Sequence, residues 1–384
     1  MPLYPYKDGF VAYDINNNAI SYINEEIDFR ETPNRINNIQ THDVLNEYQE
    51  ITLVFITTYE CNFKCLYCYE AKGESNLTVK HKSEKFNAES MMQVYLSFLK
   101  QFSSASFNIN FFGGEPFVEQ DAIIEFIQMA DKYNEENNIK PLKYNAITNG
   151  SLLDEKICKL IINRFSGLTI SLDGIKNIHD KNRIFENGEG TFNLIQKNLK
   201  ILQNMNSEKK VKVACEATLT NDFFAQNNSP KVINDNYNLF KEYFNEVGIV
   251  PVSDIVPPLD FTHPHVEQVV SSFLDLWVQD ILNLQQPANI ASFNNIIAGF
   301  TGKNKFGYEC SAGINYFAIS PDMIIYPCQM STFSDKLTMG SIGQLSNHMT
   351  LDRSRINHYT KMTDNPLCNN CECESTVKIV KPKK

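Results

Sequence analysis

Apolar residues recur along this chain with two spacings, and the middle of the chain alternates between them. Short continuous apolar runs predict buried strands, and apolar positions three and four residues apart predict amphipathic helices. Six strands are predicted, at 51–58, 107–112, 143–148, 168–172, 211–219 and 248–252. Five helices are predicted between them, at 88–102, 122–133, 155–164, 192–202 and 232–244. This alternation implies a parallel sheet with right-handed crossovers.

The pattern changes at both ends of this run. Residues 10–13 and 20–23 predict a hairpin turned by Asn16, Asn17 and Asn18. Residues 266–284 predict a helix with Trp277 on its apolar stripe, where a core position is expected. Residues 316–319 and 324–326 predict a second hairpin, which leads into Cys328. We therefore divide the chain into an N-terminal segment, a core, a helical bridge and a C-terminal domain, at 1–48, 49–260, 261–305 and 306–384.

The composition indicates a soluble protein. Of 384 residues, 42% are hydrophobic and 21% are charged, and no apolar run approaches the ~20 residues of a membrane span. The first residues lack the pattern of a secretory signal, which predicts a cytoplasmic location without a membrane partner. The net charge of -10 argues against a nucleic-acid partner, because such proteins usually present a basic face.

Ten cysteines in a cytoplasmic protein favour metal binding over disulfides, because the cytosol keeps thiols reduced. Eight of them form two groups, Cys61, Cys65 and Cys68, and then Cys310, Cys328, Cys368, Cys371 and Cys373. Cys158 and Cys215 stand alone in apolar surroundings and are interpreted as ordinary buried thiols.

The first group follows the first predicted strand of the sheet. Functional groups of parallel α/β folds gather at the carboxyl ends of strands. A CxxxCxxC loop at this position can hold three irons of a 4Fe-4S cluster and leave the fourth without a protein ligand. A zinc knuckle is the alternative, because thiolates with this spacing also suit tetrahedral zinc.

Further motifs stand in order at the ends of the next strands. They are Phe112-Gly113-Gly114-Glu115-Pro116, Ile147-Thr148-Asn149-Gly150, Ser171-Leu172-Asp173-Gly174 and then His179-Asp180-Lys181-Asn182-Arg183. Together with the cysteine loop, they resemble the radical S-adenosylmethionine (SAM) superfamily. The resemblance implies an α/β fold, a partial (β/α)6 TIM-like barrel with a small C-terminal Fe-S cluster-binding extension. It also implies that SAM binds the open iron and yields a 5'-deoxyadenosyl radical that abstracts a substrate hydrogen.

The resemblance assigns roles to individual residues. Cys61, Cys65 and Cys68 are the expected iron ligands. The expected cofactor-binding residues are Tyr67 at the adenine, Gly113 and Gly114 at the amino group, Glu115, Asn149, Ser171 at polar groups, and Arg183 at the carboxylate. A guanidinium suits a carboxylate because it can form a bidentate pair. Asp173 is the candidate catalytic residue because it lies at a strand end.

The segment from Cys310 to Cys328 resembles the SPASM and twitch extensions, which carry auxiliary Fe-S clusters. A full SPASM pattern has seven cysteines and a glycine where Met323 stands here, and this chain ends in a shorter CxxCxC block. We therefore expect at least one auxiliary 4Fe-4S cluster, held by Cys310, Cys328 and two of Cys368, Cys371 and Cys373. Two clusters with open irons, or a structural zinc, are the alternatives.

The same motifs occur in enzymes that modify ribosomally made peptides and in anaerobic sulfatase maturases. In sulfatase maturases an aspartate that acts as a base directly follows the second of these cysteines. Gln329 stands at that position here, and its amide cannot take up a proton. Our hypothesis is a radical SAM oxidoreductase that forms a cysteine thioether in a precursor peptide, with flavodoxin or ferredoxin as reductant. The alternatives are a carbon-carbon cross-link, epimerisation, a sulfatase-maturase-like reaction, a twitch-type small-molecule dehydrogenase or a non-enzymatic zinc protein.

Overall fold

The computed structural model describes residues 3–6, 9–14, 19–23, 50–68, 84–227, 229–252, 265–291, 311–332, 337–343 and 349–351. The N-terminal strands β1 (Leu3–Tyr6), β2 (Gly9–Asp14) and β3 (Ala19–Ile23) form an antiparallel sheet. The pairing of β2 with β3 confirms the predicted hairpin. Its asparagine turn lies outside the described residues.

The six predicted core strands are present and lie side by side in chain order. They are β4 (Glu50–Thr58), β5 (Ser106–Gly113), β6 (Lys143–Thr148), β7 (Phe165–Ser171), β8 (Lys212–Leu219) and β9 (Glu246–Pro251). All five neighbouring pairs are parallel. Among the described strands the sheet is open, because β9 stands at one edge without a further partner.

Helices connect these strands, as the apolar periodicity predicts. The described helices are α1 (Ala88–Gln101), α2 (Gln120–Glu136), α3 (Glu155–Arg164), α4 (Lys176–Asn182), α5 (Phe192–Met205), α6 (Asn221–Gln226), α7 (Pro230–Tyr243) and α8 (Val266–Leu282). The sequence does not predict α4 and α6, because one or two helical turns are too short to show a period. No helix in the described ranges is long and apolar enough to cross a bilayer.

The two faces of the sheet have different surroundings. Alternate residues such as Leu53, Phe55 and Phe111 are fully buried in the main core against the helices. We call the opposite face, whose side chains point away from the helices, the lumen face. Its residues include Val54, Ile56, Asn110, Phe112, Ser171, Glu216, Tyr316 and Ala318. Cys158, Cys215 and Trp277 are buried in the main core, as predicted.

The C-terminal segment continues the central sheet. Strands β10 (Tyr316–Ile319) and β11 (Ile324–Tyr326) form the predicted hairpin, and β12 (Gly340–Ile342) and β13 (Met349–Leu351) extend it. The sequence does not predict that β10 also pairs in parallel with β4. Cys310, Cys368, Cys371 and Cys373 lie outside the described residues, whereas Cys328 follows β11 directly.

Candidate active site

The cysteine loop, residues 59–68, begins where β4 ends. Cys61 is exposed, Cys65 and Cys68 are half-buried, and none of the three is in a disulfide with another described cysteine. The backbone N–H of Phe63 donates to the Cys61 sulfur at 3.4 Å, and the N–H of Cys68 donates to the Cys65 carbonyl at 3.2 Å. Local turns of the loop therefore bring the three thiols to the carboxyl end of the sheet.

The segment after α4 holds this loop from the other side. The N–H of Lys64 donates to the Ile184 carbonyl at 2.7 Å, and the N–H of Leu66 donates to the Asn182 carbonyl at 2.8 Å. The rings of Phe63 and Phe185 meet edge to face, with centroids 5.2 Å apart. The position of the thiols thus depends on a segment more than a hundred residues further along the chain.

Two glycines at the end of β5 let it approach the cysteine loop. Gly113 has a φ of 138°, and a Cβ there would lie 2.2 Å from the Thr58 carbonyl oxygen. A Cβ on Gly114 would lie 2.3 Å from the Glu60 carbonyl oxygen. The N–H groups of Gly114 and Glu115 donate to the carbonyls of Thr58 and Glu60, both at 2.9 Å. Side chains at these two positions would therefore clash with the end of β4 and with the cysteine loop.

Glu115 joins the ends of β5 and β6. Its fully buried carboxylate accepts from the N–H of Phe117 at 3.1 Å, the hydroxyl of Thr148 at 2.8 Å and the N–H of Asn149 at 2.7 Å. Burial raises the pKa of Glu115 to about 7, and the three donors oppose this rise. Glu115 therefore ties the end of β5 to the end of β6.

Asn149 carries the connection on to the thiols. Its amide nitrogen donates to the Cys61 sulfur at 3.8 Å and to the Asn62 side-chain oxygen at 2.9 Å. Its amide oxygen accepts from the hydroxyl of Ser151 at 2.6 Å. The structure therefore brings this predicted residue into direct contact with the first cysteine.

Asp173, just beyond the end of β7, lies at the centre of a buried cluster. One carboxylate oxygen accepts from the Arg183 Nε and from the N–H of Thr218, both at 3.0 Å. The other accepts from the hydroxyl of Tyr67. The Arg183 guanidinium also lies 5.3 Å from the Tyr67 ring centroid, in the range of a cation-π interaction. Three residues with separately predicted roles, Tyr67, Asp173 and Arg183, thus form one unit.

Arg183 connects this cluster with the cysteine loop. Burial raises the pKa of the Cys65 thiol to about 11, and the Arg183 guanidinium, which hydrogen-bonds the thiol, opposes this rise. The Arg183 Nη2 donates to the Thr218 hydroxyl at 3.3 Å. A cation beside the thiol favours the thiolate, which is the form that binds metals.

His179 supports the cluster from behind. Its Nδ1 accepts from the N–H of Asp173 at 3.3 Å, and its Nε2 lies 2.9 Å from the Thr191 hydroxyl. The Thr191 hydroxyl donates to the Arg183 carbonyl, so Nε2 must carry the proton. Burial lowers the pKa of His179 to about 4, which keeps the ring neutral. The sequence shows this histidine only as part of a motif, and nothing in it points to Thr218.

The other predicted residues are more scattered. Ser171 is half-buried on the lumen face, opposite Glu216 of β8. Cys328 is half-buried after β11, and its neighbour Gln329 accepts from the Tyr316 hydroxyl at 2.8 Å. The predicted auxiliary-cluster ligands are therefore represented in the described residues by Cys328.

The residues at the strand ends fit a 4Fe-4S cluster and SAM. Three thiols lie in one short loop, and the guanidinium of Arg183 is close to the thiol of Cys65. In the described part of the chain, no three Cys, His, Asp or Glu side chains converge on one point as they would around a single metal ion. The thiols of a cubane cluster bind three separate irons, so they do not need to converge.

Comparison with known proteins places this site in a family. Residues 55–215, from β4 to β8, match the Radical SAM superfamily. This match covers all the motifs at the strand ends, from the cysteine loop to Arg183. Residues 55–215 therefore form a radical SAM domain, and the chain is an enzyme whose cofactors are SAM and 4Fe-4S clusters.

The relatives of this chain include cysteine-type anaerobic sulfatase-maturating enzymes. The chain is 28% identical over 334 residues to a cysteine-type anaerobic sulfatase-maturating enzyme of Clostridium novyi. This alignment covers 81% of this chain and 82% of the relative. An enzyme of the same name from Clostridium perfringens is 24% identical, and the alignment covers 78% of this chain and 80% of that enzyme. The structure of anSMEcpe with bound AdoMet aligns with a TM-score of 0.64 and 22% identity, over 84% of this chain and 86% of that one. This alignment confirms the partial-barrel fold.

Proposed function

We propose that this enzyme uses radical chemistry to modify a cysteine residue of a peptide, and that the product is a thioether. The relation to cysteine-type sulfatase maturases over four fifths of the chain supports the peptide cysteine. The observation that carries the finer proposal is Gln329. In the described residues its amide oxygen is engaged by the Tyr316 hydroxyl, and an amide cannot take up a proton.

In this proposal the residues of the site have different roles. SAM and the cluster, when bound, supply the radical that removes a hydrogen atom from the substrate. Cys61, Cys65 and Cys68 hold the cluster, and Arg183 pairs with the SAM carboxylate. Asp173 fixes Arg183 and Tyr67 in place, which makes it a positioning residue for both.

The C-terminal segment adds an auxiliary 4Fe-4S cluster in this proposal, with Cys328 as one ligand. The relation to sulfatase maturases supports such a cluster. We place the enzyme in the cytoplasm, with flavodoxin or ferredoxin as the electron donor. The six described cysteines form no disulfides with one another, which supports this location because a reducing compartment keeps thiols reduced.

The test is incubation of the reduced enzyme and SAM with a synthetic cysteine-containing peptide encoded next to the gene. A thioether gives a peptide that has lost two hydrogens and no longer reacts with iodoacetamide at one cysteine. Formation of 5'-deoxyadenosine with unchanged peptide would contradict the proposal.

A second candidate is the reaction of the relatives, which are named as sulfatase-maturating enzymes of the cysteine type. The same assay separates the two. Conversion of the cysteine to an aldehyde replaces sulfur by oxygen and creates a carbonyl that reacts with hydrazides, whereas a thioether retains the sulfur. A carbon-carbon cross-link or an epimerised residue would leave iodoacetamide labelling intact.

A further inference from the structure

Glu216 is an acidic side chain on the lumen face, close to the carboxyl ends of the strands. Along β8, Val213, Cys215 and Ala217 are buried in the main core, so the intervening Glu216 points to the opposite face. In the register of the sheet it pairs with Ser171, two residues before Asp173. Glu216 therefore lies beside the buried cluster described above.

The Glu216 carboxylate is not committed to another group. Among the described residues it has no hydrogen-bond or salt-bridge partner, and it interacts with Arg183 and Asp173 only at longer range. Burial raises the pKa of Glu216, Arg183 opposes this rise, and Asp173 adds to it. A half-buried carboxylate with free lone pairs is costly unless a substrate or water uses it.

Glu216 also faces across the lumen towards the C-terminal segment. Burial raises the pKa of Tyr316 to about 12, and the nearby Cys328 and Glu216 contribute to this rise. Asn110 hydrogen-bonds Tyr316, and its side-chain oxygen is buried without a partner in the described residues. The lumen face thus carries polar side chains on β5, β8 and β10, which are Asn110, Glu216 and Tyr316.

Asp173, Tyr316 and Gln329, which are also described near Glu216, are not suited to accept a proton. Asp173 already accepts three hydrogen bonds. The Tyr316 hydroxyl donates a hydrogen bond to the Gln329 amide oxygen, and its pKa is raised. Gln329 does not titrate. Glu50, Lys143, Lys212 and Glu246 lie at the opposite ends of their strands.

We propose that Glu216 is the base that accepts the proton of the substrate cysteine thiol. The S–H bond breaks, its electron pair stays on sulfur, and an O–H bond forms on the Glu216 carboxylate. The inference rests on the proposed function, because thioether formation requires the substrate thiol to lose its proton. A free thiol has a pKa of about 8.5, so a raised carboxyl pKa reduces the uphill cost of the transfer.

The test compares Glu216→Gln, Glu216→Asp and the wild type with the same synthetic peptide. Glu216→Gln keeps the shape but not the base, so we expect peptide product to form about 100-fold more slowly. Formation of 5'-deoxyadenosine without peptide is expected to stay within about twofold, because Glu216 does not hold the cofactors. Glu216→Asp should restore part of the activity. The matched control is Glu246→Gln, an exposed glutamate at the start of β9, which should behave as wild type.

The dependence on pH separates a base from a structural residue. The defect of Glu216→Gln should shrink as the pH rises above about 8.5, because the thiol then ionises without a base. Product formation within twofold of wild type overturns this role for Glu216 while the proposed function stands. A parallel loss of 5'-deoxyadenosine, or a defect independent of pH, overturns it in favour of a structural role. If the wild type forms 5'-deoxyadenosine but modifies no peptide, the proposed function and this inference both fail.

Discussion

The Asp173 carboxylate accepts hydrogen bonds from the side chains of Tyr67 and Arg183 and from the backbone of Thr218. Replacement by Asn leaves the Arg183 guanidinium buried without its carboxylate, which typically costs about 3–5 kcal/mol. Tyr67→Phe removes only the hydroxyl bond to Asp173 and should cost about 1 kcal/mol. We expect thermal unfolding of the anaerobic protein to rank the variants wild type, Tyr67→Phe and Asp173→Asn, from most to least stable.

A charge removed from the surface is the control for Asp173→Asn. Glu186 pairs with Lys64 at 2.8 Å, but its side chain is 82% exposed. Because exposed ion pairs contribute little, Glu186→Gln should unfold like the wild type. If Asp173→Asn also unfolds like the wild type, the buried cluster does not stabilise the site as described.

His179 should make stability depend on pH. Its pKa is lowered to about 4 in the folded chain and is about 6.5 in an unfolded one. Between these values the unfolded state binds more protons, so stability is present above pH 6.5 and is lost as the pH falls towards 4. Acidification from pH 7 to 5.5 should cost the wild type about 1 kcal/mol through this group.

His179→Gln measures that contribution, because an amide does not titrate. Denaturant unfolding of both proteins at pH 7 and 5.5 gives the difference in their pH dependence. Equal losses of stability on acidification would mean that His179 is protonated in the folded protein, contrary to its burial between Asp173 and Thr191.

At the scale of elements, the contact between β5 and the cysteine loop decides whether the thiols are in place. Gly114→Ala puts a Cβ 2.3 Å from the Glu60 carbonyl oxygen, a backbone atom that cannot move without shifting Cys61. We expect anaerobically reconstituted Gly114→Ala to lose at least half of the iron that depends on Cys61, Cys65 and Cys68. Iron analysis and the ultraviolet-visible spectrum measure this.

Gly248→Ala is the control for this substitution. A Cβ at Gly248 would lie 3.7 Å from the Cys215 carbonyl oxygen, an ordinary contact, in a strand of the same sheet. Its iron content should match the wild type. Full iron content in Gly114→Ala would show that the loop tolerates a wider separation from β5.

Local pattern predicts the elements of this fold better than their partners. The cysteine loop, Gly113, Asn149 and Asp173 each follow a strand, so the carboxyl end of the sheet could be predicted as the site. The sequence does not predict the first three residues of β7, because Ser166 and Gly167 interrupt its apolar run. Thr218 and His179 could not be predicted as partners of Asp173, because their contacts depend on register and burial.

The pairing of β10 with β4 is the feature of the whole molecule that the sequence conceals. The two strands are far apart in the chain, and a parallel pairing leaves no local signal such as a hairpin turn. Phe317 on β10 is fully buried and lies 5.4 Å from the Phe98 ring of α1. The first strand of the C-terminal segment therefore packs with the barrel's own core.

One substitution tests whether the sheet unfolds as a unit. Phe317→Ala removes a buried ring at one side of the sheet and should cost about 3–5 kcal/mol. The one tryptophan, Trp277, lies on α8, which packs against α7 through Phe273 and Tyr237. If the barrel and β10 unfold together, the Trp277 fluorescence transition of Phe317→Ala should have a lower denaturant midpoint than that of the wild type. Val270→Ala changes a half-exposed residue of α8 and should leave this midpoint almost unchanged. An unshifted Trp277 transition in Phe317→Ala would instead mean that the C-terminal segment melts separately, and that the radical site does not depend on it for stability.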